Sequence, residues 1–199
     1  MNDSMPIKVV LLGDSGVGKT SIIQRFTEDI FKSNNVTTKS ANFVCKNFIL
    51  PEEDTKVRFQ IWDTAGQEKY HSLATMYYKD AAVAIAVFDM TSEKTLIHIK
   101  TWIKELKEKV TRNVHILILG NKADLVEQQK VNIDKVKIYS NEVKAKFFIV
   151  SAKENMNIHE AFSYAAKRVL ESKGQSSTYK DSFVLNREEL KKLKRKNCC

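Results

Sequence analysis

Gly13-Asp14-Ser15-Gly16-Val17-Gly18-Lys19-Thr20 decides how the rest of the chain is read. The octapeptide has the pattern G-x-x-x-x-G-K-[ST], which needs a strand before it and a helix after it to mean anything. Ile7–Leu12 is a short apolar run and Lys19–Thr27 reads as helix, so both conditions hold. A multiply charged phosphate chain needs many short donors converging on it. Glycines let backbone N–H groups come close, and a helix N-terminus adds its dipole. Lys19 offers a point charge and the Thr20 hydroxyl a ligand for magnesium. The expected nucleotide contacts are Ser15, Gly16, Val17, Gly18, Lys19, Thr20 and Ser21. The pattern does not choose between ATP and GTP, or between a kinase and a hydrolase.

Working outward, short apolar runs alternate with longer stretches of helical period, as in a parallel sheet wrapped by helices. The predicted strands are Ile7–Leu12, Asn42–Leu50, Val57–Ile61, Val83–Phe88, Ile116–Leu119 and Phe147–Val150. Only the turn-like Pro51-Glu52-Glu53-Asp54-Thr55 separates the second from the third. No crossover helix fits there, so that pair forms an antiparallel hairpin. The predicted helices are Lys19–Thr27, His71–Tyr78, Glu93–Val110, Ile133–Asn141 and Ile158–Lys173, with Thr91 or Ser92 capping the third. The expected fold class is α/β: a P-loop NTPase of the small G-domain type. Its six-stranded sheet is mostly parallel with one antiparallel edge strand, and helices cover both faces. Residues 1–173 make this domain and 174–199 a flexible tail, starting where Gly174-Gln175-Ser176-Ser177-Thr178 turns small and polar.

Composition fits one globular domain with a basic excess. Of 199 residues, 43% are hydrophobic and the net charge is +9, enough apolar content for a core. About a third of the basic excess lies in the last tenth of the chain, in Arg187, Lys191, Lys192, Lys194, Arg195 and Lys196 against Asp181, Glu188 and Glu189. A tail of that kind suits an anionic surface, membrane or nucleic acid. Its basic residues are not interleaved with aromatics, which disfavours nucleic acid. Three cysteines make no disulfide framework, and a reducing compartment is expected. No stretch approaches the roughly 18 apolar residues of a spanning helix, and no secretory leader is read at the N-terminus. Cys45 is expected to be packed or half-exposed in a strand. His71, His98, His115 and His159 lack ligand spacing, so no zinc is expected.

Three further segments narrow the ligand. Asn121-Lys122-Ala123-Asp124 follows the strand Ile116–Leu119, at the strand end where open α/β sheets bind ligands. A carboxylate accepts from both N1–H and the exocyclic amine of guanine, a pair adenine lacks. Asp124 is that carboxylate, with Asn121 on the other edge of the base and the Lys122 stem over the ring. Ser151-Ala152-Lys153 follows the last strand and can bring the Ala152 N–H to the guanine O6. Asp63-Thr64-Ala65-Gly66-Gln67 closes the hairpin. There Asp63 can hold magnesium through water, Gly66 can sense a γ-phosphate and Gln67 can orient an attacking water.

With these motifs in place, Ile7 to Lys173 resembles the Ras-like small GTPases and, within them, the Rab family. Phe59-Gln60-Ile61-Trp62, Lys69-Tyr70-His71-Ser72-Leu73, Tyr77-Tyr78-Lys79 and Phe88-Asp89-Met90-Thr91 carry the Rab likeness. Tyr-His-Ser-Leu-Ala and Met-Tyr-Tyr look most like the early-endosomal members. The resemblance implies a switch that hydrolyses GTP slowly with Mg2+ and cycles between GTP and GDP states. It implies Phe31 stacked on the base, Thr38 as the switch threonine on magnesium, and Phe43, Trp62 and Tyr77 as the effector surface. The partners implied are a guanine-nucleotide exchange factor, a GTPase-activating protein, a GDP-dissociation inhibitor, the prenylation machinery and GTP-state effectors. A monomeric G domain is implied too.

Cys198-Cys199 is not a Cys-a-a-X ending but looks like the Rab double cysteine, which carries two geranylgeranyl chains. Two chains, or one with a basic run, anchor stably where one alone is marginal. The expected place is the cytoplasmic face of endomembranes, early endosomes by resemblance, in exchange with the cytosol. Two positions depart from the pattern. Lys39-Ser40 stands where Ile-Gly usually follows the switch threonine, and Asp80 replaces a common glycine. Two rivals stand beside this reading: a GTP-binding module that hardly cycles, and an ATP-using P-loop kinase.

Overall fold

The computed structural model describes residues 4–33, 38, 41–51, 53–64, 77–110 and 113–181, with backbone only for 174–181. In chain order the elements are β1 (Met5–Leu12), α1 (Lys19–Glu28), β2 (Asn42–Ile49), β3 (Lys56–Asp63), β4 (Val83–Asp89), α2 (Glu93–Lys109), β5 (His115–Asn121), α3 (Ile133–Glu142), β6 (Lys146–Ile149) and α4 (Ile158–Asp181). A short 3-10 turn covers Val126–Gln128. The six strands lie in the order β2-β3-β1-β4-β5-β6. Every pair is parallel except the β2–β3 hairpin, which puts the antiparallel strand at the edge.

Strand periodicity of two sorts the side chains onto two faces. Ile7, Val9, Leu11, Val57, Phe59, Ile61, Val83, Ile85 and Val87 meet α1 and α4 on one side. Val10, Leu12, Ala84, Ala86, Phe88, Ile116 and Ile118 meet α2 and α3 on the other. β4 is buried along its whole length, as a central strand covered on both faces must be. On the first face Phe26 of α1 stacks on Phe162 of α4 at 3.8 Å and 3°, and Phe59 meets both edge-on at 5.5 Å. On the second, Leu96, Ile99, Trp102, Ile103 and Leu106 form the buried stripe of α2. Register then fixes the site: Leu11 pairs with Asp63, Leu12 with Ala86 and Asp89 with Asn121. The C-terminal ends of β1, β3, β4 and β5 therefore lie side by side.

Several local expectations are corrected. The last helix does not stop at Lys173 but continues to Asp181. Gly174 in a helix costs about 1 kcal/mol relative to alanine, and no proline follows to end it. Ser92 is the N-cap of α2 but makes no side-chain cap bond. Asp89 holds that corner instead, accepting from Thr91 N at 2.8 Å and Thr91 Oγ1 at 2.7 Å. Cys45 is exposed rather than packed, with Arg58 Nη2 3.7 Å from its sulfur. Asp80 has φ 59°, a left-handed conformation that glycine takes freely and aspartate tolerates better than most residues. The predicted helix His71–Tyr78 falls outside the described residues, except that Tyr77 and Tyr78 are helical.

Candidate nucleotide-binding site

The loop between β1 and α1 turns on three positive-φ glycines: Gly13 at 133°, Gly16 at 79° and Gly18 at 97°. A Cβ on Gly13 would stand 2.2 Å from the Val87 carbonyl oxygen, and one on Gly18 2.2 Å from Asn121 Nδ2. Gly16 differs, because a Cβ there meets no protein atom within 4 Å. Its backbone faces open space, where a ligand could come close. Val17 is buried in the core, so only its backbone is available to a ligand.

Lys19 is 6% exposed, and its Nζ donates to the carbonyls of Gly13 at 2.7 Å and Asp14 at 2.8 Å. Two of three ammonium donors are thus engaged within the loop, leaving one for an anion. Burial lowers the Lys19 pKa to about 8, against the opposing charges of Asp63 and Asp14. Beside it, Thr20 Oγ1 donates to Asp63 Oδ2 at 2.6 Å and lies 2.8 Å from Thr38 Oγ1. Asp63 is 2% exposed, and its Oδ1 has no hydrogen-bond partner among the described residues. Burial raises its pKa, opposed by the Thr20 hydrogen bond and Lys19. An orphaned buried carboxylate oxygen beside two hydroxyls is a hard-oxygen set that suits magnesium, directly or through water. The donor set therefore fits the implied ion.

Asn121 closes the floor. Its Nδ2 donates to the Val17 carbonyl at 2.9 Å, and its Oδ1 accepts from Ala152 N at 3.1 Å. Asn121, expected at the edge of a base, lines the cleft, and its amide also braces two loops. The Ala152 N–H expected at the guanine O6 here points to the Asn121 amide. Ser151 Oγ donates to Asp124 Oδ1 at 2.6 Å and accepts from Glu154 N at 3.0 Å, which fixes the carboxylate. Lys153 Nζ lies 4.0 Å from Asp124 Oδ2. Lys122, at φ 67°, pairs with Asp89 Oδ2 at 2.6 Å, so the stem is held by its tip.

These residues border one cleft of about 400 Å³. Ser15, Gly16, Gly18, Lys19, Thr20, Ser21, Phe31, Thr38, Asn121, Lys122, Asp124, Ala152 and Lys153 all line it. Phe31 is half exposed at its wall. Asp63 and Ser151 stand behind the lining. Gly66 and Gln67 lie outside the described residues, as do Lys39, Ser40, Cys198 and Cys199. Phe43, Trp62 and Tyr77 form a separate contiguous aromatic group, with centroids 4.9 Å and 5.4 Å apart. Lys32, Ser33 and Leu125 also line the cleft, and the sequence did not mark them. Nor did it mark Arg25, which donates to the carbonyls of Ala152 at 2.9 Å and Lys153 at 3.0 Å. A helix residue contacting a loop 127 positions away leaves no local signal.

Strand order, glycine loop and strand-end cleft together define a P-loop G domain. A family model described as the Ras family matches residues 8–171. The chain belongs to the Ras family; it is a small GTPase that hydrolyses GTP and acts as a switch. Members of that family generally work with exchange factors, GTPase-activating proteins and effectors. No helix among the described residues is long and apolar enough to cross a membrane.

The buried lysine has a consequence for the ligand-free protein. Between pH 8 and 10.5 the unfolded chain keeps the Lys19 proton that the folded chain releases, so stability rises with pH across that window. Urea unfolding of the ligand-free protein should show this rise, amounting to up to about 3 kcal/mol when wild type is referred to Lys19→Met. Parallel profiles for the two proteins would refute it.

Proposed function

We infer that this cleft holds GTP and GDP through the residues assigned above, and that the switch serves vesicle trafficking as a Rab-type protein of early endosomes. The Asp124 carboxylate carries the base assignment, held 2.6 Å from Ser151 in the same cleft as Lys19 and Thr20. Fixed in this way, its acceptors suit the two adjacent donors of guanine. Asn121 and Arg25 hold the loops on either side, Phe31 and the Lys122 stem cover the ring faces, and Ser151–Lys153 frames the O6 edge. Phosphates occupy the space in front of Gly16, with Lys19 and the loop amides from Ser15 to Ser21 donating to them. Thr20, Thr38 and Asp63 would hold magnesium, which when bound neutralises charge on the outer phosphates. Gly66 senses the γ-phosphate and Gln67 orients the attacking water.

An arginine finger is not present in the motifs, so unassisted turnover should be slow, about 10⁻⁴ to 10⁻³ per second, and a GTPase-activating protein supplies speed. The GTP-bound protein presents Phe43, Trp62 and Tyr77 to effectors. Phe43 is 46% exposed although it packs on Trp62, and Lys8 Nζ lies 5.4 Å over the Trp62 ring. Trp62 and Tyr77 are partly buried against the core beneath them, so the group joins the core to the surface. Residues 174–199 serve as the tail. Among the described side chains, Val169 is the last in the buried core, with Leu170 packed against it. Lipidated Cys198 and Cys199, with the basic run before them, hold the switch on endomembranes. A GDP-dissociation inhibitor and the prenylation machinery are the partners this implies. The G domain works as a monomer and does not bind nucleic acid.

Exchanging Asp124 for Asn replaces a two-point acceptor with one acceptor and one donor. The variant should lose GDP affinity by about a hundredfold or more and gain affinity for xanthosine diphosphate, whose 2-oxo group accepts. Competition against labelled nucleotide checks this, and undiminished guanine preference would refute the assignment. Gln67→Leu should cut single-turnover phosphate release in the presence of an activating protein by about a hundredfold; coincident rates would remove Gln67 from the chemistry. Intact-mass analysis of protein from a eukaryotic host should show two prenyl additions, and unmodified cysteines would defeat the lipid anchor.

A further inference from the structure

The phosphate loop is held from outside by a contact that the assignments above leave unused. Asp14, the second residue of the loop, accepts at Oδ2 from His98 Nδ1 at 2.5 Å and at Oδ1 from Trp102 Nε1 at 3.2 Å. His98 and Trp102 are one turn apart on α2, so they project together over the loop. An indole N–H only donates, and a ring nitrogen 2.5 Å from a carboxylate must carry hydrogen. Both carboxylate oxygens are therefore tied to a single helix. That helix is fixed to the sheet through Leu96, Ile99, Ile103 and Leu106, all buried. The loop needs such a tie. Its three positive-φ glycines make it costly to order, and Ser15 and Gly16 at its apex are exposed. The same Asp14 presents its carbonyl to Lys19 Nζ at 2.8 Å. Movement of Asp14 would therefore carry the ammonium with it.

We propose that His98 and Trp102 are positioning residues for the phosphate loop, and that their grip on Asp14 slows the release of bound nucleotide. The inference rests on the reading of the cleft as a guanine-nucleotide site. It deepens that reading by making α2 a lever on nucleotide retention. A partner that shifts α2 would loosen the loop without entering the cleft.

Release of a fluorescent GDP analogue, chased with excess GDP at fixed magnesium, tests the brace. His98→Ala, Trp102→Phe and Asp14→Ala should each speed release by about three- to tenfold. Combining His98→Ala with Asp14→Ala should give no more than the larger single effect, because both cut one contact. His98→Asn should restore slow release, since its amide nitrogen, like Nδ1, is bonded to Cγ. A side chain that merely supports the fold would give independent, multiplying effects and no rescue by asparagine. His98 is 41% exposed, so its truncation leaves the core intact. Unchanged release in every variant, or multiplying effects in the double variant, would overturn the brace. A wild-type chain unable to retain GDP would overturn the guanine reading and the brace together.

Discussion

Asn121 Nδ2 lies 2.9 Å from the Val17 carbonyl and Ala152 N lies 3.1 Å from Asn121 Oδ1, so one buried amide ties the loops after β1, β5 and β6 together. The tie is tight enough that Gly18 can carry no Cβ, which would stand 2.2 Å from the same nitrogen. With both loops held by one side chain, the phosphate end and the base end of the cleft keep a fixed separation. Arg25 reinforces the arrangement by holding the Ala152 and Lys153 carbonyls from α1. A buried amide with both its nitrogen and its oxygen hydrogen-bonded costs less than an unpaired one and favours one geometry.

The charges in the site are arranged for a ligand rather than for the protein alone. Lys19 is buried deeply enough for its pKa to fall to about 8, and Asp63 keeps an oxygen without a partner among the described residues. Both groups are costly when the cleft holds only solvent. A phosphate chain with its cation relieves both, so binding energy and folding energy are linked. Stability given up in this way at a functional site is a common trade.

Of the two departures from the family pattern, Asp80 is the one among the described residues. Asp80 adopts the left-handed conformation that explains a glycine there, at a modest conformational cost. Lys8 bridges two elements beside it, donating to the Lys79 carbonyl at 2.6 Å while lying over Trp62. The aromatic group is thus propped from β1, the same strand that leads into the phosphate loop.

The sequence by itself determined the layered parallel sheet, its antiparallel edge hairpin and the strand ends that carry the motifs. Hydrophobic period and glycine spacing are local properties, readable without neighbours. Most strand limits moved by only a residue or two, whereas the last helix ran on to Asp181 because nothing in Gly174–Thr178 forbids helix. Only the tertiary structure decided what each motif residue touches. Asn121 became a strut, Lys122 was pinned by Asp89, Arg25 entered the site from a helix, and Asp14 was gripped by His98 and Trp102. These contacts join residues 33 to 127 positions apart, and they exist only because parallel pairing brings the ends of β1, β4, β5 and β6 to one edge of the sheet.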